Sequence, residues 1–278
     1  MRSDHSPAID WNERWQAAHR RRRSDRNDRE FWNKRAPSFA SHARESGYVR
    51  DFLGLVRLSP DHTVLDVGCG AGTLAIPLSG RVRSITALDF SANMLQLLEQ
   101  RCRENGITNV TRRLVGWEDD WDAAGIDVHD VAIASRSLVV NDLASAIAKL
   151  SARARQRVII TSLVGDGPFD RRIFTAIGRE LDRGPDYIYV YNLLHQMGIR
   201  ADVTFVGNNG EEPKSYPGLD EAVDGLHWML GELSGDEEEA LRRYLRSHLV
   251  PGPGGYVLDY RHPIQWAVIS WNKKEAHP

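Results

Sequence analysis

The chain has 278 residues, 41% of them hydrophobic and 27% charged, with a formal net charge of −2. Those proportions suit a globular protein with a sizeable core, and so near-neutral a balance creates no electrostatic demand for nucleic acid or an anionic membrane. Only two cysteines are present, Cys69 and Cys102, with no CxxC pair and no metal-ligand spacing, so neither a disulfide framework nor a metal site is expected. No apolar run follows Met1 and none approaches the ~18 residues of a membrane span, so the expected location is the cytoplasm, with no membrane partner.

Residues 1–46 are polar and basic, with Trp11, Trp15, Phe31, Trp32 and Phe39 interspersed and Arg20-Arg21-Arg22-Arg23 in the middle. Trp11 and Trp15 share a face if the segment is helical, so an N-terminal helical cap is expected. Residues 47–210 form the expected core. Val49 to Leu58 carry a helical stripe ended by Ser59-Pro60, and Thr63-Val64-Leu65-Asp66-Val67 reads as a buried strand. A glycine-rich turn, Gly68 to Gly72, leads into a helix from Leu74. Further strands are predicted at Ser84–Asp89, Val110–Val115, Val128–Ala134 and Val158–Ser162, with helices near Met94–Asn105 and Leu143–Leu150 between them. Such alternation means βαβ units and a parallel sheet.

After that the signals turn helical: Phe174–Leu181 and Ile188–Met197, a strand at Asp202–Val206, then a helical insertion over residues 211–250, made of Leu219–Leu233 and Glu237–Leu249. Residues 251–278 alternate like a strand or hairpin that completes the sheet.

The strongest chemical signal is Asp66-Val67-Gly68-Cys69-Gly70-Ala71-Gly72. An apolar strand runs into a turn whose glycines permit close backbone approach to a ligand, at the carboxyl edge where open α/β sheets bind theirs. A dinucleotide fingerprint has a different glycine spacing, and no lysine precedes Thr73 as a P-loop requires. Asp66 would repel a pyrophosphate and suits a ligand with a positive amino group. Asp89, 23 positions on at the end of the second strand, suits the two hydroxyls of a ribose, and Phe90 and Met94 can pack on its base. The plain readings are a tight turn for the glycines and a helix cap for Asp89.

These residues resemble motif I of the class I S-adenosylmethionine-dependent methyltransferases, in particular their small-molecule-type subgroup. Leu88-Asp89-Phe90-Ser91 with Met94-Leu95 resembles the second motif, and Asp130-Val131-Ala132-Ile133-Ala134-Ser135 the fourth-strand motif. The resemblance covers about residues 47–165. It implies a Rossmann-like sheet of seven mostly parallel strands and S-adenosyl-L-methionine as cofactor. It also implies that Gly68, Gly70 and Gly72 lie at the methionine part, with Cys69 a small residue of the same cofactor-binding turn and Asp89 on the ribose. Val115-Gly116-Trp117-Glu118 departs from the family's Gly-Asp: Glu118 supplies the adenine contact one position on, or Trp117 stacks on the ring. Ser135 closes the set. The aromatic N-terminal stretch from Phe31 to Phe39 resembles the element that closes over the cofactor in small-molecule enzymes.

No catalytic residue stands out, because the cofactor's methyl is already activated and a base is needed only for some acceptors. The acceptor pocket is expected between the N-terminal cap and the insertion. Tyr187, Tyr191 and His195 share a helix face and, with Tyr189, either line that pocket or pack; His42 and Ser135-Arg136 stand near its edges. The arginine run contacts RNA phosphates or forms a solvated face. Ser135-Arg136-Ser137-Leu138 stands where enzymes of base amino groups carry an Asn-Pro-Pro-Tyr-like signature. A small-molecule acceptor is therefore expected, with nucleic acid disfavoured. The alternatives are an RNA or protein methyltransferase, a non-catalytic cofactor-binding protein, or a nicotinamide-dependent oxidoreductase on a similar sheet.

Overall fold

The computed structural model describes residues 9–21, 29–30, 32–33, 47–182, 184–207 and 213–273. Arg22, Arg23, Phe31, Ala36, Phe39 and His42 lie outside the described residues.

Each predicted strand of the core forms. The sheet contains β1 (Thr63–Val67), β2 (Ser84–Asp89), β3 (Val110–Leu114), β4 (His129–Ser135), β5 (Ala154–Leu163), β6 (Asp202–Gly207) and a late strand, β9 (Gln265–Asn272). Their order is β3-β2-β1-β4-β5-β9-β6. β1 to β5 run parallel, and β9 is antiparallel to both β5 and β6. The order reverses between β1 and β4, which opens a crevice at their carboxyl ends.

Helices cover both faces, and the period-two side-chain alternation of the strands divides the core between them. Val64, Val131 and Ile133 point to the face covered by α2 (Gly47–Leu55), α3 (Ala75–Ser79) and α4 (Ala92–Glu104). Leu65, Ala132 and Ala134 point to the face covered by α1 (Trp11–Arg21), α5 (Leu143–Ala152) and α7 (Tyr187–Gln196). Trp15 of α1 is 2% exposed, and its indole N–H donates to the Val140 carbonyl at 2.8 Å. A buried indole needs such a partner, so this bond fixes the register of α1 on the body. Asp142 caps α5 by accepting from Ser145 N, and it also takes the Asn12 side-chain amide.

The late part of the chain differs from the sequence expectation in boundaries. The helix expected over Phe174–Leu181 is α6 (Arg171–Ala176), started by the Asp170 cap and ended at Gly178. The helix expected over Leu219–Leu233 is two short ones, α8 (Leu219–Asp224) and α9 (His227–Leu230). They are separated at Gly225, where a Cβ would lie 2.8 Å from the Tyr216 ring. α10 (Gly235–His248) starts with a full capping box, Ser234 with Glu237. A hairpin, β7 (Leu249–Gly252) and β8 (Gly255–Leu258), stands apart from the main sheet. α6 and α8–α10 share one apolar cluster around Phe174, Leu226 and Leu241, so the helical unit recruits residues before the expected insertion. Arg179 clamps it, with a two-pronged bond to Glu237 and further bonds to the Leu230 and Glu232 carbonyls.

Candidate active site

The glycine turn leaves β1 with its backbone tied to the neighbouring strand: Gly68 and Cys69 N–H both donate to Leu88 O, at 2.8 and 2.9 Å. Gly68, Gly70 and Gly72 all have positive φ. A Cβ on Gly68 would overlap Ser137, whose hydroxyl donates to Val67 O at 2.6 Å. The first turn and the end of β4 thus interlock. From outside, Arg101 of α4 holds the turn through Ala71 O at 2.6 Å.

The carboxyl ends of β1, β2, β3 and β4 enclose a cavity of about 300 Å³. Ten of the eleven expected residues line it: Asp66, Gly68, Cys69, Gly70, Asp89, Phe90, Met94, Trp117, Glu118 and Ser135. Gly72 does not. Its Cα faces the core, where a Cβ would lie 2.5 Å from Leu98 Cδ1, so it serves the packing of the turn on α4. The sequence signal of regular glycine spacing cannot separate these two duties. Reading the residues one by one also missed Ser137 and Val139 just past β4, and Thr73 and Asp119. Ser137 and Val139 arrive through the sheet order, Thr73 and Asp119 as chain neighbours of expected residues.

Asp66 is buried, and its Oδ2 has no hydrogen-bond partner. Burial, reinforced by the nearby Asp89 carboxylate, pushes its pKa up to about 7. Asp89 is also raised by burial, though the N–H groups of Ser91 and Gly70 pull the other way. Its Oδ2 accepts from Gly70 N at 2.8 Å and its Oδ1 from Ser91 N at 2.9 Å. Asp89 therefore shapes the glycine turn while its remaining lone pairs face the cavity. The Cys69 thiol is buried and pushed well above its ordinary pKa, by burial first, so it is not a nucleophile.

Past β3 the departure from the family pattern has a structural reason. Trp117 donates its indole N–H to Ser137 O at 2.8 Å and packs on Trp121 at 5.5 Å between centroids. Asp119 turns back to accept from Gly116 N at 2.7 Å. Lys149 seals the loop from α5, donating to the carbonyls of Trp117 and Asp119. Gly116 leaves 3.1 Å between a Cβ and Phe90, so the chain passes close to that ring. Trp117 is a fixed wall of the cavity, and Glu118 is exposed at its rim.

From the N-terminal segment, Arg29 and Trp32 line the cavity. Asn33 anchors this segment to the start of α4: Ser91 Oγ donates to its Oδ1 at 2.6 Å, and Asn93 donates to its carbonyl. No described residue of 211–250 reaches the cavity. The helical insertion expected to build the acceptor pocket instead packs on α6. Tyr187, Tyr189, Tyr191 and His195 also stay outside it. Tyr189 packs edge-on to Trp11, Tyr187 on Phe205, and Tyr191 is exposed. Asp130, read as part of the fourth-strand motif, sits at the opposite end of β4, where its carboxylate joins Thr63, Arg155 and Gln156. Among the described residues no group of three His, Cys, Asp or Glu is placed to hold a metal ion.

Residues 64–157 match the family model described as a methyltransferase domain. An uncharacterized protein of Haemophilus influenzae is 36% identical over 246 residues, covering 87% of this chain and 88% of its own length. The YcgJ protein of Bacillus subtilis shares the fold with a TM-score of 0.54 at 15% identity, over 85% of this chain and 100% of that one. Phosphoethanolamine N-methyltransferase 2 of Haemonchus contortus, solved with phosphomonomethylethanolamine and S-adenosylhomocysteine, does so with a TM-score of 0.52 at 14% identity, over 95% and 60% of the two chains. The chain belongs to the same family as the Haemophilus influenzae protein, shares the Rossmann-like fold of the two solved structures, and matches a methyltransferase domain over residues 64–157.

Proposed function

We propose that the chain is an S-adenosylmethionine-dependent methyltransferase, that the cavity at the β1–β4 crevice holds this cofactor, and that the acceptor is a small molecule entering beside the end of β4. The observation that carries the reading is the orphaned, buried Oδ2 of Asp66 inside a cavity lined by turn backbone, apolar side chains and the charged Arg29, Asp89, Glu118, Asp119 and Arg136. A buried carboxylate oxygen without a donor is costly, and a ligand's ammonium group removes the cost. Asp89 takes ribose hydroxyls through its free lone pairs, while Phe90, Met94 and Trp117 enclose the base; Gly68, Cys69 and Gly70 let the methionine part lie against the turn. Ser135 borders the region where the acceptor meets the methyl.

When bound, the cofactor supplies a sulfonium-activated methyl for in-line displacement by a nucleophilic atom. The chain's own task is alignment and exclusion of water. Trp117 and the Lys149-sealed loop form a rigid wall, and Trp32 lines the cavity from the N-terminal segment. No side chain in the cavity is assigned as a catalytic base. Since no described helix is long and apolar enough to cross a membrane, no membrane role enters the reading, and a cytoplasmic enzyme is the setting we propose.

The test is transfer from methyl-labelled cofactor to a cell extract separated by ultrafiltration. Label in the small-molecule filtrate, dependent on the protein, supports the reading. Label confined to the retained RNA or protein overturns it.

A further inference from the structure

We infer that Arg136 is the recognition point for an anionic group, a carboxylate or phosphate, on the methyl acceptor. The inference rests on the proposed function, because it uses the cavity as the place where acceptor and cofactor meet.

Arg136 directly follows β4 and lines the cavity. Among the described residues it is the only non-glycine with positive φ, at 56°. That conformation is strained for a side-chain-bearing residue and persists only where neighbours over-determine it. Here they do. Ser135 Oγ bonds the Tyr48 hydroxyl at 2.6 Å, Arg136 N–H donates to Thr161 Oγ1 at 2.8 Å, and Ser137 Oγ donates to Val67 O at 2.6 Å. Three consecutive residues are pinned to three different elements, and the strained turn aims one side chain.

Among the described residues, that side chain is a cation with no paired anion. The guanidinium lies over the Tyr48 ring at 4.4 Å and the Trp266 ring at 5.6 Å. Tyr48 is itself buried and held by Ser135 and Thr161, so the platform is rigid. Among the described residues no carboxylate pairs with Arg136, in contrast to Arg155, Arg171, Arg172, Arg179 and Arg242, each of which has one. A stacked guanidinium keeps its N–H edge free, and that edge matches carboxylate or phosphate oxygens in a two-pronged geometry.

The sheet order separates this group from the cofactor's partners. Asp66, Asp89 and Trp117 stand over β1, β2 and β3; Arg136, Tyr48, Thr161 and Trp266 stand over β4, β5 and β9. What the cofactor leaves uncovered is the β4 end, walled by Ser135, Arg136 and the 41% exposed Val139. An acceptor with an anionic end on Arg136 and an apolar part on Val139 fits that remainder.

The experiment uses the full chain saturated with S-adenosylhomocysteine and follows the arginine Nε–Hε resonances during titration with malonate and with inorganic phosphate at constant ionic strength. The resonance that Arg136→Gln deletes is expected to shift saturably. In the labelled-methyl assay, products are expected in the fraction retained by an anion exchanger. Arg136→Gln lowers that transfer at least about tenfold, Arg136→Lys less, because a point charge keeps the attraction but loses the fork. Binding of S-adenosylhomocysteine stays within about twofold. The inference is overturned if no Arg136 resonance responds saturably, or if label appears only in the flow-through. It is also overturned if Arg136→Gln weakens S-adenosylhomocysteine but not methylthioadenosine, since Arg136 would then hold the cofactor's own carboxylate. A wild-type chain that binds no S-adenosylhomocysteine defeats the underlying cavity assignment instead.

Discussion

Replacing Asp66 by Asn separates what this residue costs the fold from what it gives the site. In the unfolded chain an aspartate ionises near pH 3.9, whereas in the folded protein burial and Asp89 hold Asp66 protonated up to about 7. Between those values the folded state binds the extra proton, so stability falls as pH rises through that window. Each pH unit is worth about 1.4 kcal/mol, so wild type loses on the order of 3 kcal/mol between pH 5 and pH 7 from this group alone. Asn has nearly the same shape and does not ionise. Thermal unfolding of the cofactor-free protein is therefore expected to show Asp66→Asn gaining on wild type as pH rises from 5 to 7, by at least about 6 °C, with a plateau above. The same variant binds S-adenosylmethionine more weakly at pH 8. A gap between wild type and variant that does not change with pH refutes the reasoning, as does unchanged affinity.

Two glycines of the turn and one carboxylate at the far end of β4 give three further expected outcomes. Gly70 has open space where a Cβ would stand, on the cavity side of the turn, so Gly70→Ala keeps the fold at a strain cost of about 1–2 kcal/mol while titration shows cofactor affinity reduced at least about tenfold. Gly72→Ala meets Leu98 and Ile76 instead and is expected to lose about 3 kcal/mol in denaturant unfolding, with the affinity of the folded fraction retained. Asp130→Ala removes a buried carboxylate held well below the ordinary range, burial opposing and the bonds from Thr63, Arg155 and Gln156 prevailing. It is expected to cost about 3 kcal/mol without altering cofactor affinity. For that depressed group the stabilisation is present above the unfolded pKa near 3.9 and is lost as pH falls below it, so the deficit of Asp130→Ala should shrink in strong acid.

The core was legible because its strands are short apolar runs bounded by turn residues, and because two acidic residues, Asp66 and Asp89, end adjacent parallel strands at the same edge. Ser84–Asp89 was read to the residue. What the sequence could not show depends on sheet order. Ser137 reaches Gly68 only because β4 lies beside β1, and Arg136 finds Tyr48 and Trp266 only because β5 and β9 follow. Asp130 carries a motif-like pattern yet lies at the far end of its strand, since period-two patterning gives a face and not an end. The helices of residues 219–230 read as one because the apolar spacing runs through Gly225, whose close approach to Tyr216 is a long-range fact. Tyr187 and Tyr191 are four apart on α7, yet Tyr187 packs on Phe205 of β6 and Tyr191 is exposed, while Tyr189, two positions off that face, packs on Trp11 of α1.

The most direct measurement is calorimetric titration of the purified chain and its Asp89→Asn variant with S-adenosylmethionine and S-adenosylhomocysteine. The account predicts one site per chain in the micromolar range for wild type. It predicts a roughly ten- to hundredfold loss in the variant, the weight of a charge-assisted hydrogen bond of about 1.5–3 kcal/mol, with far-ultraviolet dichroism unchanged. Equal affinity in wild type and a folded Asp89→Asn variant would contradict it and place the cofactor elsewhere.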